Sequence, residues 1–186
     1  MGSEFGQGGE WAFEQQLDWW LLDSPYHKGI LALIKDLNAL NKNHGAIYEK
    51  AFEQEGFEWI SYEDTTNSVI SYIRKGNEGT KPLVVICNMT PNPLSQYETG
   101  MPVAGTWTEV LNTDNKKYAG SGIHNEGILQ TEDAPMHGRA QKIQVSLPPL
   151  GVVVLSLDKA EIKKEKEAEA VSDTAPLAKK ASKKKV

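Results

Sequence analysis

Four carboxylates and three tryptophans crowd the first twenty residues of this chain, and together they suit carbohydrate. Glu4, Glu10, Glu14 and Asp18 are interspersed with Trp11, Trp19 and Trp20. An indole face covers the apolar face of a sugar ring, while carboxylates accept hydrogen bonds from its hydroxyls. Glu4, Trp11, Asp18 and Trp19 are therefore the candidate substrate-binding residues. The alternative is that the tryptophans pack on a helix beneath them and touch no ligand. Composition leaves both readings open.

Other chemistry is harder to find. His27, His44, His124 and His137 show no metal-ligand spacing, and Cys87 is the lone cysteine. Cys87 lies in an apolar run, where a thiol behaves as a small buried hydrophobe. Gly120-Ser-Gly122 lacks the flanks of a nucleophile elbow, and Gly6-Gln-Gly-Gly9 is neither a phosphate loop nor a dinucleotide fingerprint. No metal and no cofactor are expected, and no residue is assigned a catalytic role.

Charge narrows the partners. The net charge is −5, but residues 159–186 carry nine lysines against five acids, which leaves −9 on residues 1–158. Such a body repels phosphate backbones, so nucleic acid is not an expected partner. No run approaches the roughly 18 apolar residues of a membrane span, and the N-terminus shows no signal-peptide pattern. With one cysteine, a cytoplasmic setting without a membrane partner is expected.

The elements that must position these residues are readable in part. Over 24–43, Ser24 is placed to cap a helix and Pro25 suits its first turn. Ile30, Leu33, Ile34, Leu37 and Leu40 form a stripe at helical spacing, and Gly45 can close the helix in a left-handed conformation. That stripe requires a sheet or other helices to cover it. Phe57–Glu63 and Ser68–Lys75 read as a hairpin around Asp64-Thr-Thr-Asn67. Leu83–Cys87 reads as a strand buried on both faces, and Thr106–Leu111, Arg139–Leu147 and Leu150–Leu157 as further strands. Pro148-Pro149 makes a rigid corner, and the loop from Asn112 to Gly138 is expected to be irregular. Short strands punctuated by Gly, Pro, Asn and Asp predict an antiparallel sandwich. After Asp158 the Lys/Glu/Ala composition predicts disorder.

Several motifs occur together in an order that resembles one family. Met1-Gly-Ser-Glu-Phe-Gly-Gln7, Glu10-Trp11, Leu17-Asp18-Trp19 and Pro25-Tyr-His-Lys-Gly29 open the series. Phe57-Glu-Trp-Ile60, Val110-Leu-Asn-Thr-Asp114, Tyr118, Gly120-Ser-Gly122 and Leu147-Pro-Pro-Leu150 complete it. They resemble the C-terminal third of the 1,4-α-glucan (glycogen) branching enzymes of the α-amylase superfamily, over residues 1 to about 157. Two positions depart from the family pattern. Trp20 stands where the family usually has His, and Ala119 where Gly is common.

The resemblance implies a mainly β fold: a C-terminal antiparallel β-sandwich preceded by the last strand-loop-helix piece of a (β/α)8 barrel. Residues 1–49 would be that terminal barrel segment, 50–158 the all-β domain, and 159–186 a disordered tail. Gly2–Trp19 would sit near the rim of the barrel's active face. The family cleaves an α-1,4 link through a covalent glycosyl intermediate and transfers the segment to a 6-hydroxyl. Retention requires two carboxyl groups about 5–5.5 Å apart, and in the family these belong to earlier barrel strands. The chain is thus expected to be a fragment, from a broken gene or an internal start, and inactive alone. An α-glucan and an upstream barrel polypeptide are the implied partners. Alternatives are a stand-alone α-glucan-binding or partner-binding sandwich, and one half of a split enzyme.

Overall fold

A helical stretch leads into two antiparallel sheets in the computed structural model, which describes residues 1–161 apart from Glu10 and Ala12. From residue 162 the lysine-rich tail lies outside the described residues, as does Glu10 of the N-terminal cluster. No helix among the described residues is long and apolar enough to cross a membrane.

Two 3-10 turns, Ser3–Phe5 and Trp19–Asp23, precede helix α1, Pro25–Asn43. Pro25 occupies the first turn, where a missing N–H is harmless. Ser24 does not cap with its side chain; its carbonyl instead accepts the Lys28 N–H at 3.1 Å. Nor does Gly45 close the helix. His44 turns extended and ends it, and Gly45 opens a further turn, α2 (Gly45–Tyr48), which buries Ala46 against the sheet.

The strands are β1 (Phe57–Asp64), β2 (Val69–Arg74), β3 (Leu83–Asn88), β4 (Leu94–Met101), β5 (Gly105–Asn112), β6 (Ile128–Gln130), β7 (Gln141–Leu147) and β8 (Val152–Ala160). Six form one sheet in the order β1-β2-β3-β8-β5-β6, and β4 pairs with β7 in a second. The Asp64 carboxylate accepts the Asn67 N–H at 3.0 Å and closes the expected hairpin. β8 runs to Ala160, so Lys159 and Ala160 of the expected tail belong to the sheet. β4 and β6 are not legible in the sequence. β4 is largely polar, follows Pro91-Asn-Pro93, and is irregular between Leu94 and Tyr97, where Gln96 has φ +60°.

The two sheets enclose one core. Val84 and Ile86 of β3 meet Ile143, Val145 and Leu147 of β7 there, around a fully buried Trp107. Leu83, Val85 and Cys87 point the other way and join Ala46, Leu33 and Leu40. Helix on one side and sheet on the other explain why the β3 run is apolar without alternation. The proline corner is pinned by buried Asn88, whose amide donates to the Pro148 carbonyl at 2.9 Å and the Asn92 carbonyl at 2.8 Å.

Candidate functional site

The four candidate residues share one segment, yet few contacts join them. Phe5, part of the first motif but not among the candidate residues, is 2% exposed and anchors the segment. Trp19 stacks on it with ring centroids 5.3 Å apart and remains 55% exposed. The His27 Nδ1–H donates to the Phe5 carbonyl at 2.7 Å, which ties the first turn to α1. Asp18 donates its backbone N–H to Gln7 Oε1 at 2.8 Å. Trp11 is 85% exposed with φ +50°, and Trp20 is also exposed. Packing on the helix thus describes neither of these tryptophans. Glu4 is exposed, and its carboxylate has no hydrogen-bond or ion-pair partner among the described residues.

A second group of residues holds α1 against the sheet. Asp36 accepts the Tyr118 hydroxyl proton and pairs with Lys117 at 2.5 Å. Lys117, then Tyr118, holds the Asp36 carboxyl below its ordinary value. Burial, reinforced by Asp36, pushes the Tyr118 phenol up. Buried Gly29 lets the α1 backbone approach Tyr118 closely.

The motif Asn112-Thr-Asp114 builds the loop beside that clamp. Asn112 donates to the Ile123 carbonyl at 3.0 Å and accepts the Asp114 N–H at 3.0 Å. Asp114 accepts backbone N–H groups from Ser121, Gly122 and Ile123 at 2.8 to 3.1 Å, and the Ser121 hydroxyl at 2.5 Å. Burial raises the Asp114 pKa, but these donors outweigh it and hold the carboxyl below its ordinary value. Ala119 sits in the left-handed region at φ +65°, a conformation that favours glycine. These motif residues position backbone.

Glu58, Asp64 and Glu98 are engaged in similar work. Glu58 bonds Lys75 at 2.6 Å and also pairs with Arg139. A polar hollow of about 500 Å³ contains Asp64, Tyr97, Glu98 and His137. Its acids are satisfied: Asp64 by Asn67 and by Tyr97 Oη at 3.0 Å, Glu98 by Lys142 at 2.6 Å. No group of three or more His, Cys, Asp or Glu among the described residues is placed to hold a metal ion. Trp107 of β5 is 0% exposed and donates Nε1–H to the Val103 carbonyl at 3.4 Å.

Comparison with known proteins places this geometry in context. The family model of the alpha amylase C-terminal all-beta domain matches residues 59–158. A 1,4-alpha-glucan branching enzyme of Aquifex aeolicus is 46% identical over 155 residues, covering 83% of this chain and 25% of that protein. A second, from Xanthomonas euvesicatoria, is 43% identical over 159 residues, covering 86% and 21%. The chain therefore spans a quarter or less of the length of these curated relatives. Among solved structures, an alpha-amylase from H. orenii is 16% identical, covering 74% of this chain and 21% of that one, with a TM-score of 0.41.

Proposed function

This chain belongs to the alpha amylase C-terminal all-beta domain family, and we propose that it serves as the non-catalytic C-terminal part of a 1,4-α-glucan branching enzyme in cytoplasmic glycogen synthesis. On this reading residues 1–49 stand in the place of the last strand-loop-helix unit of a (β/α)8 barrel, and the sandwich follows. Among the described residues a 3-10 turn, Ser3–Phe5, takes the place of the expected strand. The observation that carries the reading is the 46% identity over 155 residues, a longer stretch than the family model's 59–158.

Branching breaks an α-1,4 bond with a carboxylate nucleophile and an acid/base carboxyl, then passes the glycosyl unit to a 6-hydroxyl. Asp36, Glu58, Asp64, Glu98 and Asp114 are held by structural partners, and we assign the reacting pair to the remainder of the enzyme, as the family resemblance implies. The role left to this part is mechanical. Asp36, Lys117 and Tyr118 fix α1 on the sheet, and Phe5 and His27 fix the N-terminal turn on α1. A purified chain should leave iodine-stained amylose unchanged. A loss of absorbance that tracks the chain's concentration would overturn the proposal.

The exposure of Trp11 and Trp19 favours a second reading, in which the segment with Glu4 and Asp18 contacts α-glucan directly. Co-sedimentation with glycogen tests it: Trp11→Ala and Trp19→Ala should each release the chain. Wild-type chain that stays in the supernatant removes this reading. If an upstream barrel polypeptide completes the enzyme, mixing the two should restore transfer.

A further inference from the structure

One backbone donor of β4 depends on a titratable side chain. Gly100 is buried and stands opposite Lys142 of β7. Lys142 exchanges its backbone hydrogen bonds with Glu132, at 2.8 and 3.1 Å, so in this antiparallel ladder the Gly100 N–H points away from β7. It donates instead to His137 Nδ1 at 3.3 Å. His137 and Gly138, with φ +49° and +72°, are the central residues of a tight turn closed by backbone bonds between Met136 and Arg139. Arg139 pairs with Glu58 and donates to the Trp59 carbonyl at 3.3 Å, which ties the turn to β1.

We propose that His137 is a pH-sensitive latch, which in its neutral form fastens the Met136–Arg139 turn to β4 and in its protonated form releases it. A ring nitrogen that accepts a hydrogen bond carries no proton, so the Gly100 contact puts the single proton of the neutral ring on Nε2. The imidazolium has an N–H at both positions and accepts nothing. Acid therefore sets two donors against each other at this contact. The same ring lines the polar hollow, where Asp64 at the end of β1 and Glu98 of β4 are the facing acids. Lys142 is bound to Glu98 at 2.6 Å and lies 3.6 Å from Glu132, and Arg139 is taken up by Glu58. Burial pushes the Tyr97 phenol up, so it stays a neutral donor to Asp64. Asp64 has no lysine or arginine partner among the described residues, and is the carboxylate to which the imidazolium turns. His137 is exposed, so protons reach it without unfolding. Imidazole is the side chain whose ordinary charge change falls between about pH 5 and 8.

Nitrogen-15 NMR of the full 186-residue chain tests both halves of the latch. At about pH 8 the His137 ring should show the Nε2–H tautomer, and at about pH 5 the doubly protonated ring. Hydrogen exchange is read as protection relative to the unstructured rate at each pH. Across that interval Gly100 should lose about two- to tenfold of its protection, the worth of one hydrogen bond, while the core amides of Val84 and Leu155 keep theirs. His137→Asn supplies a residue that suits a left-handed turn and does not titrate; it should make Gly100 protection independent of pH. The proposal is overturned by an Nδ1–H tautomer in the alkaline sample, by a ring still neutral in the acid one, or by equal Gly100 protection in both. A fall that persists in His137→Asn, or one shared by Val84 and Leu155, overturns it equally.

Discussion

A Cβ added to Gly29 would stand 2.3 Å from the carbonyl oxygen of Tyr118. No backbone contact of that kind can yield by rotating a side chain, so α1 and the Lys116–Tyr118 turn meet only because residue 29 is glycine. Seven residues along the helix, Asp36 reaches the hydroxyl of the same tyrosine. Tyr118 is therefore gripped at both its backbone and its tip, and the helix is registered on the β domain.

The first prediction is a sign. In an exposed helix, Gly→Ala stabilises by about 1 kcal/mol through propensity. At position 29 the added methyl meets backbone, and overpacking of this kind costs about 1–3 kcal/mol. Gly29→Ala should lower the urea midpoint. A raised midpoint would remove the close approach from the account.

Ala119 predicts the reverse. It holds φ +65° at the end of the Lys116–Tyr118 turn. A residue with Cβ is strained in that region by about 1 kcal/mol. Ala119→Gly should stabilise by up to about 0.6 kcal/mol after glycine's greater unfolded freedom is counted. Thermal melts with unchanged cooperativity will check it, and a lower Tm would contradict it.

Asp36 gives the pH dependence. Its folded carboxyl is held below the ordinary 3.8 by Lys117 and Tyr118. A depressed folded pKa contributes stability that is present above the unfolded value and is lost as pH falls through the folded one. Wild type should therefore be more stable than Asp36→Asn near neutral pH, with the gap narrowing below 3.8. The advantage should be small, because the carboxylate is 37% exposed and solvent screens the pair. A gap that stays constant in urea melts down to the most acid condition would refute this assignment.

Tryptophan substitutions separate structure from binding. Trp107→Ala empties a fully buried site and should cost about 3–5 kcal/mol. Trp11→Ala removes an exposed ring and should change stability by no more than about 0.5 kcal/mol. Denaturant melts decide both. A glycogen-binding defect in Trp107→Ala therefore reports unfolding, whereas one in Trp11→Ala reports contact.

What the sequence revealed was mostly local. Pro25 and the stripe from Ile30 to Leu40 specify α1 by spacing, and Leu83–Cys87 specifies a strand with two apolar faces. The resemblance to branching enzymes was also legible, because it rests on ordered multi-residue motifs. β4 was not, since its polar residues and the turn at Gln96 erase the alternation that marks a strand. Phe5 was missed because one phenylalanine among glycines carries no period; its burial depends on Trp19 and His27 folding over it. Asp114 stood in a recognisable motif, yet its partners lie seven to nine residues away. Only the closed loop shows that its carboxylate serves backbone. Glu4, Trp11, Asp18 and Trp19 share one segment in the sequence, but the stacking of Trp19 follows from the turn that Phe5 anchors.

A chimera tests the central claim most directly. In the Aquifex aeolicus branching enzyme, the 155-residue stretch that matches this chain at 46% identity is replaced by the corresponding residues of this chain. Proton NMR then counts new α-1,6 linkages in amylose. The account predicts a folded chimera that forms them while the isolated chain forms none. A folded chimera that makes no α-1,6 linkages, or an isolated chain that makes them, would contradict it.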